Sequence, residues 1–175
     1  MHGMSLSDRT IETDRLLLVP CQKEHAAALN RMNRLPEVMK YMGGHTETLE
    51  DTLAFVERVT ARWAEHGCSW WTAFEKTSNE CVGAATLQYL PGDAKGRLEV
   101  GWRLLPSQQG KGFATEAGQA AVDYGRRNFP GEEIVAVAHP ENTPSHHVME
   151  RLGMSYAGVE EHYGEPCAVY AFQSD

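Results

Sequence analysis

Apolar residues along this chain fall into two patterns. Some form short runs bounded by turn residues, and others recur every three or four positions. The first run, residues 15–20, reads as a strand that Pro20 stops. Residues 23–33 and 36–42 carry helical spacing through Ala27, Leu29 and Met32, until Gly43 and Gly44 break it. Residues 48–65 form a longer amphipathic pattern, with Leu49, Leu53, Val56 and Val59 on one face and Glu50 and Asp51 at the dipole-favoured start. Strands follow over 70–75 and 81–89, joined by a polar turn at 76–80, and a third spans 98–105. A helix over 115–127 packs Ala117, Ala120, Ala121 and Tyr124 on one side and ends near Pro130 and Gly131. The continuous apolar run 134–138 suits an interior strand. A short helix then starts at Thr143 as N-cap with Pro144 in its first turn and stops at Gly153. Strands over 156–161 and 167–172 close the chain as a hairpin. This order predicts an α+β fold, a mixed, mostly antiparallel sheet with helices on both faces.

The punctuation between the third meander strand and the helix after it carries the chemistry. Residues Pro106-Ser107-Gln108-Gln109-Gly110-Lys111-Gly112-Phe113-Ala114-Thr115-Glu116-Ala117 lose their side chains at two glycines and then enter a helix. Free backbone N–H groups at a helix start, backed by the helix dipole, hold an anion, most often a phosphate. The plain alternative is a glycine turn with no ligand. A Walker A loop is absent, and a dinucleotide fingerprint fails because Thr115 occupies the third glycine position.

Composition narrows the field. The chain has 175 residues, enough for one full core, and its formal charge of −8 argues against a nucleic-acid binder. No apolar run is long enough to span a bilayer, so no membrane association is expected. Residues 1–12 are polar and expected to be loose, leaving one domain over 13–175. Cys21, Cys68, Cys81 and Cys167 form no C-x-x-C pair and read as reduced thiols of a cytoplasmic protein. No metal site is expected. The adjacent His146 and His147 cannot share one metal face in the i, i+4 manner.

Gln109-Gly110-Lys111-Gly112-Phe113-Ala114 matches Q/R-x-x-G-x-G/A and resembles the acyl-CoA pyrophosphate loop of the GNAT N-acetyltransferases. Thr13-Asp14-Arg15-Leu16-Leu17-Leu18 resembles the opening strand of the branch containing the ribosomal-protein N-terminal acetyltransferases, the RimJ/RimL-like enzymes. Leu98-Glu99-Val100-Gly101-Trp102-Arg103-Leu104 resembles that branch's fourth strand. Asn142-Thr143-Pro144-Ser145 followed by Leu152-Gly153-Met154 resembles its N-x-x-S…L-G-F segment. The matches occur in family order across residues 13–156.

The resemblance implies acetyl-CoA as cosubstrate, seated where the family's fourth and fifth strands splay. The backbone of Leu104 and Leu105 would pair with the pantetheine arm. The backbone N–H groups of Gly110, Lys111, Gly112, Phe113, Ala114 and Thr115 would hold the pyrophosphate, with Gln109 opening the same cofactor-binding loop. Asn142 would hydrogen-bond the pantetheine or line the thioester end. An amine nucleophile, with a pKa of ~8 to ~10, must shed a proton before attack. Glu99 is the candidate base, the alternative being a solvated residue on a half-exposed strand. Ser145 is the candidate acid, the alternative being a serine bonded to its own helix backbone. Many relatives carry a tyrosine acid where this chain has Met149. Cysteines lie away from these motifs, so direct transfer to a primary amine is expected, the acceptor being a small molecule or a protein N-terminus. Trp70 or Trp71 could line the acceptor pocket, and Met39, Tyr41 and Met42 sit where the fold often builds that cleft, with core packing as the other reading. The competing class is a non-catalytic acyl-CoA-binding regulatory module. The family fold often dimerises through its terminal strands or helices, which makes a homodimer possible.

Overall fold

The computed structural model describes residues 5–173. Eight strands form one sheet in the order β1-β2-β3-β4-β5-β6-β8-β7. In chain order they are β1 (Ile11–Glu12), β2 (Leu16–Pro20), β3 (Trp70–Glu75), β4 (Cys81–Tyr89), β5 (Leu98–Leu104), β6 (Ile134–Ala138), β7 (Ser155–His162) and β8 (Glu165–Ala171). The helices are α1 (Leu6–Arg9), α2 (Ala26–Asn33), α3 (Pro36–Met39), α4 (Leu49–His66), α5 (Phe113–Asn128) and α6 (Thr143–Arg151). Every pairing is antiparallel except β5 with β6. The expected α+β sheet with helices on both faces is the observed fold.

Strand alternation sorts the core into two layers. Ala85 and Leu87 of β4 and Leu98 and Val100 of β5 pack with Phe113, Ala117, Ala121 and Tyr124 of α5. On the opposite face Ala84 and Trp70 meet Leu29 and Met32 of α2 and Val56 and Val59 of α4. The start of α4 is fixed by a capping box: the Asp51 amide donates to Thr48 Oγ1 (3.2 Å) and the Thr48 amide to Asp51 Oδ2 (2.9 Å). A cap of this kind contributes about 1 kcal/mol.

The N-terminal segment corrects one expectation. Residues 6–12, read as loose, form α1 and β1 in the structure, while residues 1–4 lie outside the described residues. Their anchors are tertiary. Trp71 Nε1 donates to the Arg9 carbonyl (2.7 Å), the Arg9 guanidinium lies 5.5 Å from the Trp63 ring centre, and Ile11 pairs with Leu18. The short helix before the final hairpin also starts one residue earlier than expected. Asn142, not Thr143, is its N-cap, because Asn142 Oδ1 accepts from the Ser145 amide (3.4 Å).

Candidate functional site

The parallel pair β5–β6 is in register only at Leu98↔Ile134 and Glu99↔Val135, after which the two strands part. β5 continues to Leu104 with β4 alone beside it. A groove of about 1320 Å³ opens along this parting and reaches the start of α5. Gln109, Gly110, Gly112, Phe113, Ala114 and Thr115 line it, with Trp102 and Leu104 of β5 and Asn142 and Ser145 of α6.

The loop geometry follows from its glycines. Gly112 is the N-cap of α5 and takes φ 83°, a left-handed conformation that side chains resist. The first bond into the helix runs from the Glu116 amide to the Gly112 carbonyl (3.1 Å). The amides of Phe113, Ala114 and Thr115 therefore have no intrahelical acceptor and point into the groove end. Glu116 ties this loop to the N-terminal strand, accepting from Thr13 Oγ1 (2.6 Å) and from the Arg15 amide (2.8 Å) and Nε (2.7 Å). Burial pushes the Glu116 carboxyl up, but those hydrogen bonds outweigh it and hold it below its ordinary value. Arg15 also donates to the Lys111 carbonyl (2.8 Å) and lies over the Phe113 ring. The sequence motif singled out Arg15 only as part of a strand.

One expected backbone contact is engaged within the sheet. The Leu105 amide donates to the Val82 carbonyl (3.0 Å) and its side chain packs in the α2–α4 layer. The Lys111 side chain is exposed and reaches Gln108 Oε1 (3.1 Å), while the expected contact of this residue is its backbone amide. Leu104 lines the groove wall.

A second cavity of about 490 Å³ lies on the α4 side of β5. Glu99, Gly101 and Arg103 point there by strand alternation, and Trp70, Phe55 and Tyr41 supply aromatic walls. Trp102, Arg103, Asn142 and Ser145 line both spaces, so the two cavities meet there. Tyr41 and Met42 line both as well, and Trp70 lines the second, while Met39 and Trp71 are buried in the core.

Glu99 is buried at 7% exposure rather than solvated on a half-exposed strand. Burial raises its carboxyl to about 7, against the opposing pull of hydrogen bonds, the larger from Tyr163. Tyr163 Oη donates to Glu99 Oε2 (2.6 Å) and accepts from Gln88 Nε2 (3.2 Å), and Gln88 Oε1 accepts from Arg62 Nη1 (3.1 Å). Tyr163 sits in the β7–β8 turn with φ 55°, a strained setting for an aromatic residue. Sequence reasoning missed it: Tyr163 lies 64 positions from Glu99, and its local signal is only a hairpin turn before Gly164.

Ser145 Oγ forms no hydrogen bond among the described residues, so the expected alternative, a hydroxyl bonded to its own helix, does not hold. Met149, which lines the second cavity, is buried at 2% exposure. Cys167 also lines that cavity, so a cysteine lies closer to the candidate chemistry than the motifs indicated. Burial raises its thiol, which donates to the carbonyls of His162 (3.5 Å) and Glu165 (3.6 Å) and is not activated as a thiolate. Of the acidic residues of the last hairpin, Glu165 lines the cavity, whereas Glu160 is bridged to Arg97 and His162. Among the described residues no group of three or more His, Cys, Asp or Glu could hold a metal ion, and no helix is long and apolar enough to cross a membrane.

Residues 15–155 match the acetyltransferase (GNAT) domain family. The uncharacterized N-acetyltransferase YnaD of Bacillus subtilis is 31% identical over 148 residues, covering 85% of this chain and 84% of its own. A GNAT-family acetyltransferase structure from Bacillus anthracis superposes with TM-score 0.79 at 30% identity, over 93% of this chain and 97% of that one. RimL, a ribosomal alpha-N-protein acetyltransferase solved in complex with coenzyme A, shares the fold with TM-score 0.76 at 20% identity, over 93% and 96% of the two chains. The chain belongs to the GNAT acetyltransferase family, and it is an acyltransferase of the N-acetyltransferase kind. Members of this family use acetyl-CoA as the acetyl donor.

Proposed function

We propose that the chain transfers an acetyl group from acetyl-CoA directly to a primary amine where the two cavities meet. The observation that carries this reading is the placement of a buried carboxyl poised near neutrality, Glu99, in the smaller cavity, with a free hydroxyl, Ser145, on the wall shared with the groove. The groove fits the donor on its own features. It has an unpaired edge of β5 for an extended arm and a glycine-capped helix start for a pyrophosphate.

Acetyl-CoA supplies the activated acyl thioester. The amides of Phe113, Ala114 and Thr115 bind its pyrophosphate, and the free edge of β5 through Leu104 positions the arm. Gln109 and Asn142 complete the lining at opposite ends. An ammonium acceptor loses one proton to solvent on entering the cavity. Glu99 takes the second, directly or through water, as the N–C bond forms. Ser145 donates its proton to sulfur as the C–S bond breaks and is reprotonated from solvent. The products are an acetamide, the CoA thiol and one released proton. Tyr163 opposes the effect of burial on Glu99 and keeps its proton affinity near the working pH. With Met149 in place of a tyrosine acid, Ser145 is the hydroxyl available to the leaving sulfur.

The test combines a thermal-shift titration with a screen for CoA release over free amino acids, peptides, polyamines and aminoglycosides. Acetyl-CoA at a hundredfold over Kd stabilises the protein by about 2.7 kcal/mol, and at least one amine class releases CoA. Stabilisation without release from any amine overturns catalysis in favour of a binding module.

A further inference from the structure

The smaller cavity is lined by more positive charge than its role as an amine pocket explains. Arg58, Arg62 and Arg103 line it, in a chain whose net charge is −8. Among the described residues none of the three lies within 4.0 Å of a carboxylate. Arg103 is the extreme case. Its Nε is sealed from solvent with no hydrogen-bond partner, and Nη1 donates to Asn33 Oδ1 (2.9 Å). The Glu47 carboxylate makes no direct hydrogen bond to it, being linked through Asn33, whose Nδ2 donates to Glu47 Oε1 (2.9 Å), and its charge offsets part of the cost of burial. The guanidinium lies 5.4 Å from the Trp70 ring centre and 5.9 Å from that of Phe55, within cation–π reach of both. Desolvation lowers its proton affinity. A cation held this way, with a donor left over, is costly unless an anion completes it.

The three arginines form a row beside Glu99. Gln88 pairs with Glu99 across the β4–β5 ladder, and Ala84 pairs with Arg103. Arg103 lies four strand positions beyond Glu99, about 13 Å between Cα atoms. Helix α4 runs the opposite way over them. Phe55 stands at the Arg103 end, Arg62 reaches Gln88 at the Glu99 end, and Arg58 lies one turn before Arg62. Besides Glu99, the one other carboxylate in the lining is Glu165. The remaining ionisable groups there, Tyr41, His139, Tyr163 and Cys167, carry no fixed negative charge, so three guanidinium groups face two carboxyls within the cavity.

We infer that the acceptor is a small amine carrying a carboxylate, an amino-acid-type molecule whose carboxylate is held by this arginine row while its amine faces Glu99. Guanidinium forks bind carboxylates through paired N–H bonds. Arg103 Nη2, which forms no hydrogen bond among the described residues and is not sealed from solvent as Nε is, is the donor left to the cavity. A cavity of about 490 Å³ suits a small molecule. The inference rests on the reading of the site as an N-acetyltransferase.

The experiment measures CoA release with matched pairs: tyrosine against tyramine, histidine against histamine, and methionine against its decarboxylated amine. The carboxylated member is favoured at least about tenfold in kcat/KM. Arg103→Met removes most of that preference, mainly through KM, and Arg62→Met removes part of it. If Arg103→Met does not fold, Arg103→Lys, which keeps the charge but loses the fork, gives the same readout. Equal or better use of the decarboxylated amines overturns the inference, as does a preference that survives all these substitutions. A peptide N-terminus used better than every free amino acid overturns it as well. CoA release from no amine, with acetyl-CoA still binding, instead overturns N-acetyl transfer itself.

Discussion

Glu99 concentrates the conflict between stability and chemistry in one side chain. Burial lifts its carboxyl from the ordinary 4.5 to about 7. A raised carboxyl contributes its full stability below about 4.5, and that contribution is lost as the pH rises through 7. At pH 8 the native state carries a buried charge, a cost of up to about 3 kcal/mol by the shift. Glu99→Gln is therefore expected to be more stable than the parent at pH 8 by up to ~3 kcal/mol, with the gap closing below pH 4.5. The same substitution lowers kcat/KM about a hundredfold or more. Urea titrations at pH 4 and pH 8, beside the CoA-release rate, check both arms. A stability difference that is flat with pH would contradict the account. The position of Glu99 was legible in the sequence because its strand motif precedes the glycine loop. Its environment was not, since the Tyr163 hydroxyl and the Arg62–Gln88 link come from turns and helices far along the chain.

At the scale of the elements, the start of α5 is the most exacting piece of backbone. Gly112 takes φ 83°, and a Cβ there would lie 3.3 Å from the Arg15 guanidinium. Gly112→Ala is expected to destabilise the fold by about 1–2 kcal/mol through left-handed strain. It should also weaken acetyl-CoA binding by tilting the amides of Phe113 to Thr115. Calorimetric titration with acetyl-CoA checks this, and unchanged affinity would remove the loop geometry from the binding account. Elements dictated by local pattern were readable: β3, β4 and β6 occupy the residues their apolar runs mark. The helix α5 begins two residues before the Thr115 expected from its periodicity, because a left-handed glycine can cap it directly. Where tertiary contacts decide, the sequence was silent, and α1 and β1 formed over residues expected to be loose because Trp71 and Leu18 hold them.

For the whole molecule, the bridge between the β4–β5 loop and β7 is the most buried ion-pair network among the described residues. Arg97, 5% exposed, donates to both oxygens of Asp93 (2.9 and 3.0 Å) and to Glu160 Oε1 (2.6 Å). Hydrogen bonds from Arg97 hold Asp93 well below the usual carboxylate range, and Arg97 followed by His162 brings Glu160 to about 2. Depressed carboxyls contribute stability above their unfolded values, and it is lost as the pH falls. The fold is thus expected to weaken from pH 4.5 down toward 2. Arg97→Met should destabilise it at pH 7 by about 3 kcal/mol, since two carboxylates lose their partner. Thermal melts across this range check both statements, and a variant as stable as the parent at pH 7 would refute the second.

The parting of β5 and β6 also bears on how such a protein diversifies. β4 holds β5 along its whole length, so the wedge opens without loosening the rest of the sheet. The reaction's address is then written in backbone, which substitutions alter least. The walls of the smaller cavity come instead largely from side chains of α4, the β7–β8 turn and the loop after α3. Substitutions on those walls are expected to change the acceptor while leaving the donor wedge in place, and a chain only 30% identical to its Bacillus anthracis relative keeps the same frame.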